Sequence, residues 1–348
     1  MRRQPEGGLR GRKGTELSIT TTNGRGRANG SPRTNGHHSD PIPDVSRKEA
    51  PRHTGALDRV GMSGIETRVL LLDERGSWFA VPARADAFVS LDRPADKGIH
   101  MSRLFLALDR TLEERELSPR TLELALARFL ESHEEQTSSA FVRVEYEQAI
   151  RRNSLVSDNA GWRIYPIELG GRKTTAGTTF EFGTQITYSS ACPCSGVLAR
   201  DLTRKRFLDS FSGDTVSREQ VARWLGTQEG MGGCPHSQRS HGTVKVRFSD
   251  PDSFVGTNEF IDRLEASIKT VVQAAVKRED EQAFARLNAE NLMFCEDAAR
   301  NMMHVVEQME GITDYWIEAR HFESLHPHDA VSVVTKGIAG GFQPETAR

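Results

Sequence analysis

TTFEFGTQITYSS, residues 178–190, alternates apolar and polar side chains along its length. A period of two is what a strand covered on one face requires, because successive side chains point to opposite sides. FVRVEYEQAI (141–150) and WRIYPIEL (162–169) read the same way, as do ETRVLLL (66–72) and WFAVPARADAFVSL (78–91) further upstream. Between these pairs, HMSRLFLALDRTL (100–112) and PRTLELALARFLESH (119–133) repeat their apolar residues at three and four, the spacing of amphipathic helices. The order strands, two helices, strands then recurs loosely. GTVKVRFS (242–249) predicts a strand, FIDRLEASIKTVVQAAVK (260–277) a long helix, 281–309 further helix, and DYWIEAR (314–320) and AVSVV (330–334) closing strands. Antiparallel strand pairs separated by helix pairs predict an α+β fold of two similar modules, about 44–160 and 161–348, with the helices on one face of the sheet.

The rest of the chain bounds the function. A length of 348 residues with 36% hydrophobic content supports a substantial core. The formal charge of −2, from 46 basic and 48 acidic residues, calls for neither nucleic acid nor an anionic membrane, so a small soluble substrate fits better. No run of about 18 apolar residues exists, and the first 25 residues lack the apolar core of a secretory signal, which predicts a cytoplasmic protein. Residues 1–43 are rich in Gly, Arg, Asn, Ser and Pro and read as a disordered tail; an Arg-rich transit peptide is the alternative, but the apolar residues do not fall at amphipathic spacing. A polar, helix-biased stretch at 196–232 predicts a small helical insertion, with Ser217 as a helix start.

In a reducing compartment the four cysteines are metal ligands, nucleophiles or core fillers rather than disulfides. Cys192 and Cys194 flank Pro193, which cannot donate to a strand ladder and so places both thiols on a turn at a strand end. Downstream, GCPHSQRSH (233–241) brings Cys234, His236 and His241 around a second proline turn. Cys192, Cys194, Cys234 and His236 could form a closed structural zinc site, although a one-residue gap strains ligation by both sulfurs of the first pair. Three further clusters carry charge. KREDEQAF (277–284) places Glu281 at a helix start, where a plain solvated cap is the simplest reading; FCEDAARNM (294–302) sets Glu296 beside apolar neighbours; HFESLHPHDA (321–330) holds His326 and His328 two apart, a spacing suited to metal binding or proton transfer.

Taken in order, ALDRVGMSGIE (56–66), KGIHMSRL (97–104), SSACPCS, PHSQRSH, KREDE, FCEDAAR and HFESLHPHDA resemble the GTP cyclohydrolase type IB family. The resemblance runs from about Asp44 to His328 and rests on the combination of motifs. It implies a tunnelling fold, two αβ modules per chain closing into a barrel as a homotetramer with active sites at subunit interfaces. It implies conversion of GTP and water to 7,8-dihydroneopterin triphosphate and formate, the first step of folate or pterin synthesis. A catalytic divalent metal (Mn, Zn or Fe) would be bound by Cys192, His236 and Glu281; Glu296 would anchor guanine and His326 would be the acid/base. These roles are chemically coherent. A carboxylate can accept from guanine N1–H and the exocyclic amine together, three protein ligands leave a position for water, and an imidazole can both give and take a proton. The triphosphate needs cations, for which Arg239 is the first candidate and Arg103, across a subunit boundary, the second.

Two features depart from the family pattern. The 196–232 insertion separates Cys194 from His236 and must loop out. Cys234 is outside the motif and reads as a spectator, a fourth ligand or a redox partner, while Cys194 reads as a neighbour of the ligand set rather than a member. Two other readings stay open: a related tunnelling-fold enzyme acting on pterins or deazapurines through a cysteine nucleophile at Cys192, and a zinc-stabilised binding module.

Overall fold

The computed structural model describes residues 50–73 and 76–346, so the tail read at 1–43 lies outside the described residues. Eight strands form one sheet in chain order, every neighbouring pair antiparallel: β1 (Leu57–Leu72), β2 (Trp78–Leu91), β3 (Ala140–Asn153), β4 (Ala160–Thr174), β5 (Gly177–Ala191), β6 (Ser237–Phe248), β7 (Ile312–His321) and β8 (Ala330–Thr335). Helices α1 (Met101–Glu114) and α2 (Pro119–Ser132) connect β2 to β3. Helices α3 (Pro193–Ser210) and α4 (Arg218–Leu225) interrupt β5 and β6, and α5 (Thr257–Ile268), α6 (Arg278–Glu290) and α7 (Cys295–Glu307) connect β6 to β7. The architecture is α+β, and the pattern of two strands, helices and two strands occurs twice.

The strand register explains which face is covered. Ala85, Val144, Leu169, Phe182, Val246 and Tyr315 pair successively across β2 to β7, and all are buried. Leu104, Leu108, Leu122, Leu126 and Phe129 of the first helix pair, with Phe260, Leu264, Met302 and Val306 of α5 and α7, join them in one core. Burying each such side chain contributes about 1.5–3 kcal/mol. One residue along, Arg84, Glu145, Glu168, Gly183 and Lys245 pair across the opposite face, where they help to line a cavity of about 900 Å³. The alternation visible in the sequence is therefore a helix-covered face and a polar one.

β4 spans Ala160–Thr174 as a hairpin partner of β3, and its turn with β5 falls at 175–176. Two expectations need correction. The long helix expected over 260–277 stops at Ile268, where Lys269 takes φ 67° and reverses the chain. Pairing of β4 with β5 ends at Thr184, leaving an open edge. The β-branched run Thr270–Val272 takes it: Ser189 N–H donates to Thr270 O at 2.8 Å and Val272 N–H to Thr187 O at 3.3 Å. Tertiary pairing overrides helix periodicity here. Finally, 281–309 is two helices, α6 and α7, parted where Met293 N–H donates to Ala191 O at 3.1 Å.

The 196–232 segment folds on itself. Ser217 caps α4 by accepting from Gln220 N–H at 3.2 Å, and the Gln220 amide oxygen accepts from Ser217 N–H, a reciprocal cap. Phe207, Phe211 and Trp224 cluster with ring centroids 5.0–5.9 Å apart. The returning segment before β6 passes so close to α3 that a Cβ on Gly232 would meet Thr203 N at 2.2 Å. Trp224→Ala should remove about 3–5 kcal/mol from this small core. Hydrogen exchange should then show protection lost across α3 and α4 but kept in β3 to β6; equal loss everywhere would contradict a self-contained insertion.

Candidate active site

The hairpin of α3 and α4 leaves β5 and β6 and returns to the same place. Ala191 pairs with Ser237, and one step beyond, Cys192 N–H donates to His236 O at 3.1 Å. Ser195 Oγ binds both turns, donating to Cys192 O at 3.1 Å and accepting from His236 N–H at 3.1 Å. Cys192 is the N-cap of α3, with Pro193 in the first turn, where a missing N–H costs nothing. Both Cys192 and His236 are partly buried, whereas Cys194 and Cys234 are exposed, the Cys234 thiol lying 3.0 Å from the Met231 sulfur. Two of the three expected metal ligands are thus side by side.

Glu281 lines a cleft of about 440 Å³ together with Tyr188, Ser237, Gln238, Arg239 and Phe284. Its place is set by Asp280, which is fully buried and accepts from Val156 N–H, Ser157 N–H, Ser157 Oγ–H and Lys277 N–H. Burial alone would raise the Asp280 carboxyl; these donors outweigh it and hold the group well below the usual carboxylate range. Arg239, exposed on β6, lines the same cleft. Arg103 is exposed on α1, near His133 and against the first half of the sheet, and the chain does not bring it to this cleft. The 900 Å³ cavity on the polar face contains none of the expected site residues.

Glu296 lies exposed in the first turn of α7. The bond from Met293 to Ala191 and the packing of Leu292 against Gly196 of α3 dock this helix start beside Cys192. A hydrogen bond from its own backbone N–H and another from the Cys295 thiol keep the Glu296 carboxyl below its ordinary range, so it is an anion ready to accept. His326, in the turn between β7 and β8, is exposed and stacks on His328 at 5.1 Å between centroids. That turn is tied to the site by Phe322 N–H, which donates to Arg239 O at 3.1 Å.

Behind the cleft, Tyr188 OH lies 3.1 Å from Nε2 of His321, and both residues are buried. Burial pushes this imidazole down from 6.5 to about 4, against partial support from Glu296 and Asp297. The unfolded chain binds the proton near pH 6.5 and the native one only near pH 4. Stability from this group is therefore complete above pH 6.5 and is lost as pH falls toward 4, by about 3 kcal/mol. His321→Gln should flatten the acid limb of urea-unfolding stability between these values; an unchanged pH dependence would contradict the assignment.

The donor chemistry suits a divalent cation. A sulfur, an imidazole and carboxylates make the mixed set that several borderline ions accept, and Glu323 leaves a buried oxygen without a hydrogen-bond partner, 3.8 Å from the His236 ring. A finished cage is not present: among the described residues no three His, Cys, Asp or Glu side chains close to single-ion geometry, so Glu281 does not join Cys192 and His236 within this lone chain. Sequence reading missed Glu323, Asp280, Gln238 and the Tyr188–His321 pair. Asp280 had a signal, a carboxylate three residues after a helix-capping position; the others depend on pairing across strands.

One end of the sheet thus brings a thiol, an imidazole and carboxylate groups onto adjoining turns of an α+β fold. The particular family follows from comparison: residues 42–332 match the type I GTP cyclohydrolase FolE2 model, and the chain belongs to that family. GTP cyclohydrolase FolE2 of Pseudoalteromonas translucida is 44% identical over 302 residues, covering 87% of this chain and 100% of that protein. The FolE2 of Hydrogenovibrio crunogenus is 43% identical over 304 residues, covering 87% and 97%. Among solved structures, uricase from Arthrobacter globiformis aligns at 9% identity over 84% of this chain and 95% of that one, with a TM-score of 0.48.

Proposed function

We propose that this chain is a GTP cyclohydrolase that converts GTP and water to 7,8-dihydroneopterin triphosphate and formate. The observation that carries the reading is the meeting of Cys192 and His236 beside the Glu296 helix start, in a chain of the FolE2 family. A divalent cation held by Cys192 and His236, with Glu281 as the third ligand, would supply Lewis acidity and bring the pKa of water from 15.7 toward about 7. Glu296 binds the guanine edge and excludes adenine, which presents no N1–H. Arg239 faces the triphosphate across the cleft, with Arg103 offered by a neighbouring subunit. His326 protonates the purine ring nitrogen as the bond to C8 breaks.

A homotetramer with interfacial sites suits this chain in two ways. Among the described residues β1 and β8 are the terminal strands of the sheet, β1 being bridged on its outer side only near Leu70, and such edges need pairing or protection; nor do three His, Cys, Asp or Glu side chains of one copy close on a single cation among the described residues. Among the described residues no helix is long and apolar enough to cross a membrane. The test is release of formate from GTP by the purified protein supplied with Mn, Zn or Fe. Formate and a pterin triphosphate are expected; GTP left intact with every metal would overturn the proposal.

A further inference from the structure

We infer that Gln238 is a positioning residue that fixes the proton of His236 on Nδ1 and leaves Nε2 bare, as a metal-ligating imidazole would need. Gln238 follows His236 by two residues, so on an extended strand it points to the same side, and its amide Oε1 lies 3.1 Å from His236 Nδ1. The other end of the amide is anchored: Nε2 donates to Ser190 Oγ at 2.7 Å, and Ser190 Oγ is 2.8 Å from Ser240 Oγ. Both serines are fully buried. Ser190 and Gln238 are cross-strand partners in the register of β5 and β6, so the relay is built into the sheet rather than into a loop.

A second oxygen lies on the same side of the ring. Oε2 of Glu323, buried and without a hydrogen-bond partner, faces the same Nδ1 at 3.8 Å. The hydrogen-bond contact with Gln238 Oε1 places the proton on Nδ1, the Glu323 carboxylate lies on that side at a longer distance, and the opposite nitrogen keeps its lone pair. Neutral imidazole ligates through the nitrogen that has no proton, and the partner of the other nitrogen sets both the tautomer and the ring's orientation. The chain thus specifies His236 as an Nε2 ligand before any cation arrives.

This inference rests on the proposed metal site, and the experiment separates the two. Zinc ion is competed against a chromophoric chelator with wild type, Cys192→Ser, His236→Ala, Gln238→Leu and Gln238→Glu, all in the full-length protein. Gln238→Leu removes the acceptor and should weaken zinc binding about 10- to 100-fold; Gln238→Glu keeps an acceptor facing Nδ1 and should restore affinity to within a few-fold of wild type. Wild-type affinity in the leucine variant, or equal weakening in both, would overturn the role of Gln238. If Cys192→Ser and His236→Ala bind zinc like wild type, the site reading fails instead. The tautomer is then decided on metal-free protein by 15N NMR of histidine: a proton on His236 Nδ1 that shifts to a mixture in Gln238→Leu supports the inference, and a proton on Nε2 in wild type refutes it.

Discussion

Replacing Cys192 with serine should reduce formate release from GTP on the order of a thousand-fold, the scale of losing several kcal/mol of metal-supplied transition-state stabilisation. The geometry makes the substitution clean. Cys192 holds its turn through backbone groups, its N–H on His236 O and its carbonyl accepting from Ser195 and Gly196. Serine can keep all of these while removing the soft ligand. Circular dichroism and thermal unfolding of the metal-free variant should therefore match wild type, and zinc content should fall. A variant that lost activity by unfolding would instead show the thiol to be structural. A variant that retained turnover would remove the sulfur from the chemistry altogether.

The second large effect separates binding from chemistry. Glu296→Ala should lose two charge-assisted hydrogen bonds to guanine, about 3 kcal/mol or more, and raise the GTP dissociation constant a hundred-fold or further. His326→Ala should bind GTP normally and lose turnover, because the role proposed for its imidazole concerns a proton that moves only during reaction. The contrast follows from where each residue stands. Glu296 is an anion at a helix start fastened to the end of β5, whereas His326 sits in an exposed turn. Isothermal titration with GTP and a stopped assay for formate check both variants. Normal affinity in Glu296→Ala would remove the guanine assignment, and weakened binding in His326→Ala would make that histidine a substrate contact.

Much of the sheet was legible in the sequence, because a covered strand must alternate and 178–190, 141–150 and 162–169 do. The failures share one cause. Residues 269–277 keep helical spacing, but Thr270–Val272 are claimed by the open edge of β5, a partner about eighty positions away in sequence, and no local pattern reports that edge. The same limit governs the site. CPCS and CPHS were legible as chemistry, and the structure joins Cys192 to His236 through the β5–β6 ladder. Gln238 and Glu323 were printed inside the quoted motifs yet carried no signal, since an amide or a carboxylate becomes an orienting partner only when a fold sets it against a ring. Glu281 was singled out in KREDE, while its neighbour Asp280, the buried residue that pins the helix start, passed unnoticed.

The central claim is one open-sided cation on Cys192 and His236, and X-ray absorption of the zinc-loaded full-length protein tests it most directly. One sulfur at about 2.3 Å with nitrogen or oxygen neighbours at about 2.0–2.2 Å is the predicted shell, with the sulfur gone in Cys192→Ser. A shell of three sulfurs would mean that Cys194 and Cys234 close a structural site, and a shell without sulfur would contradict the account.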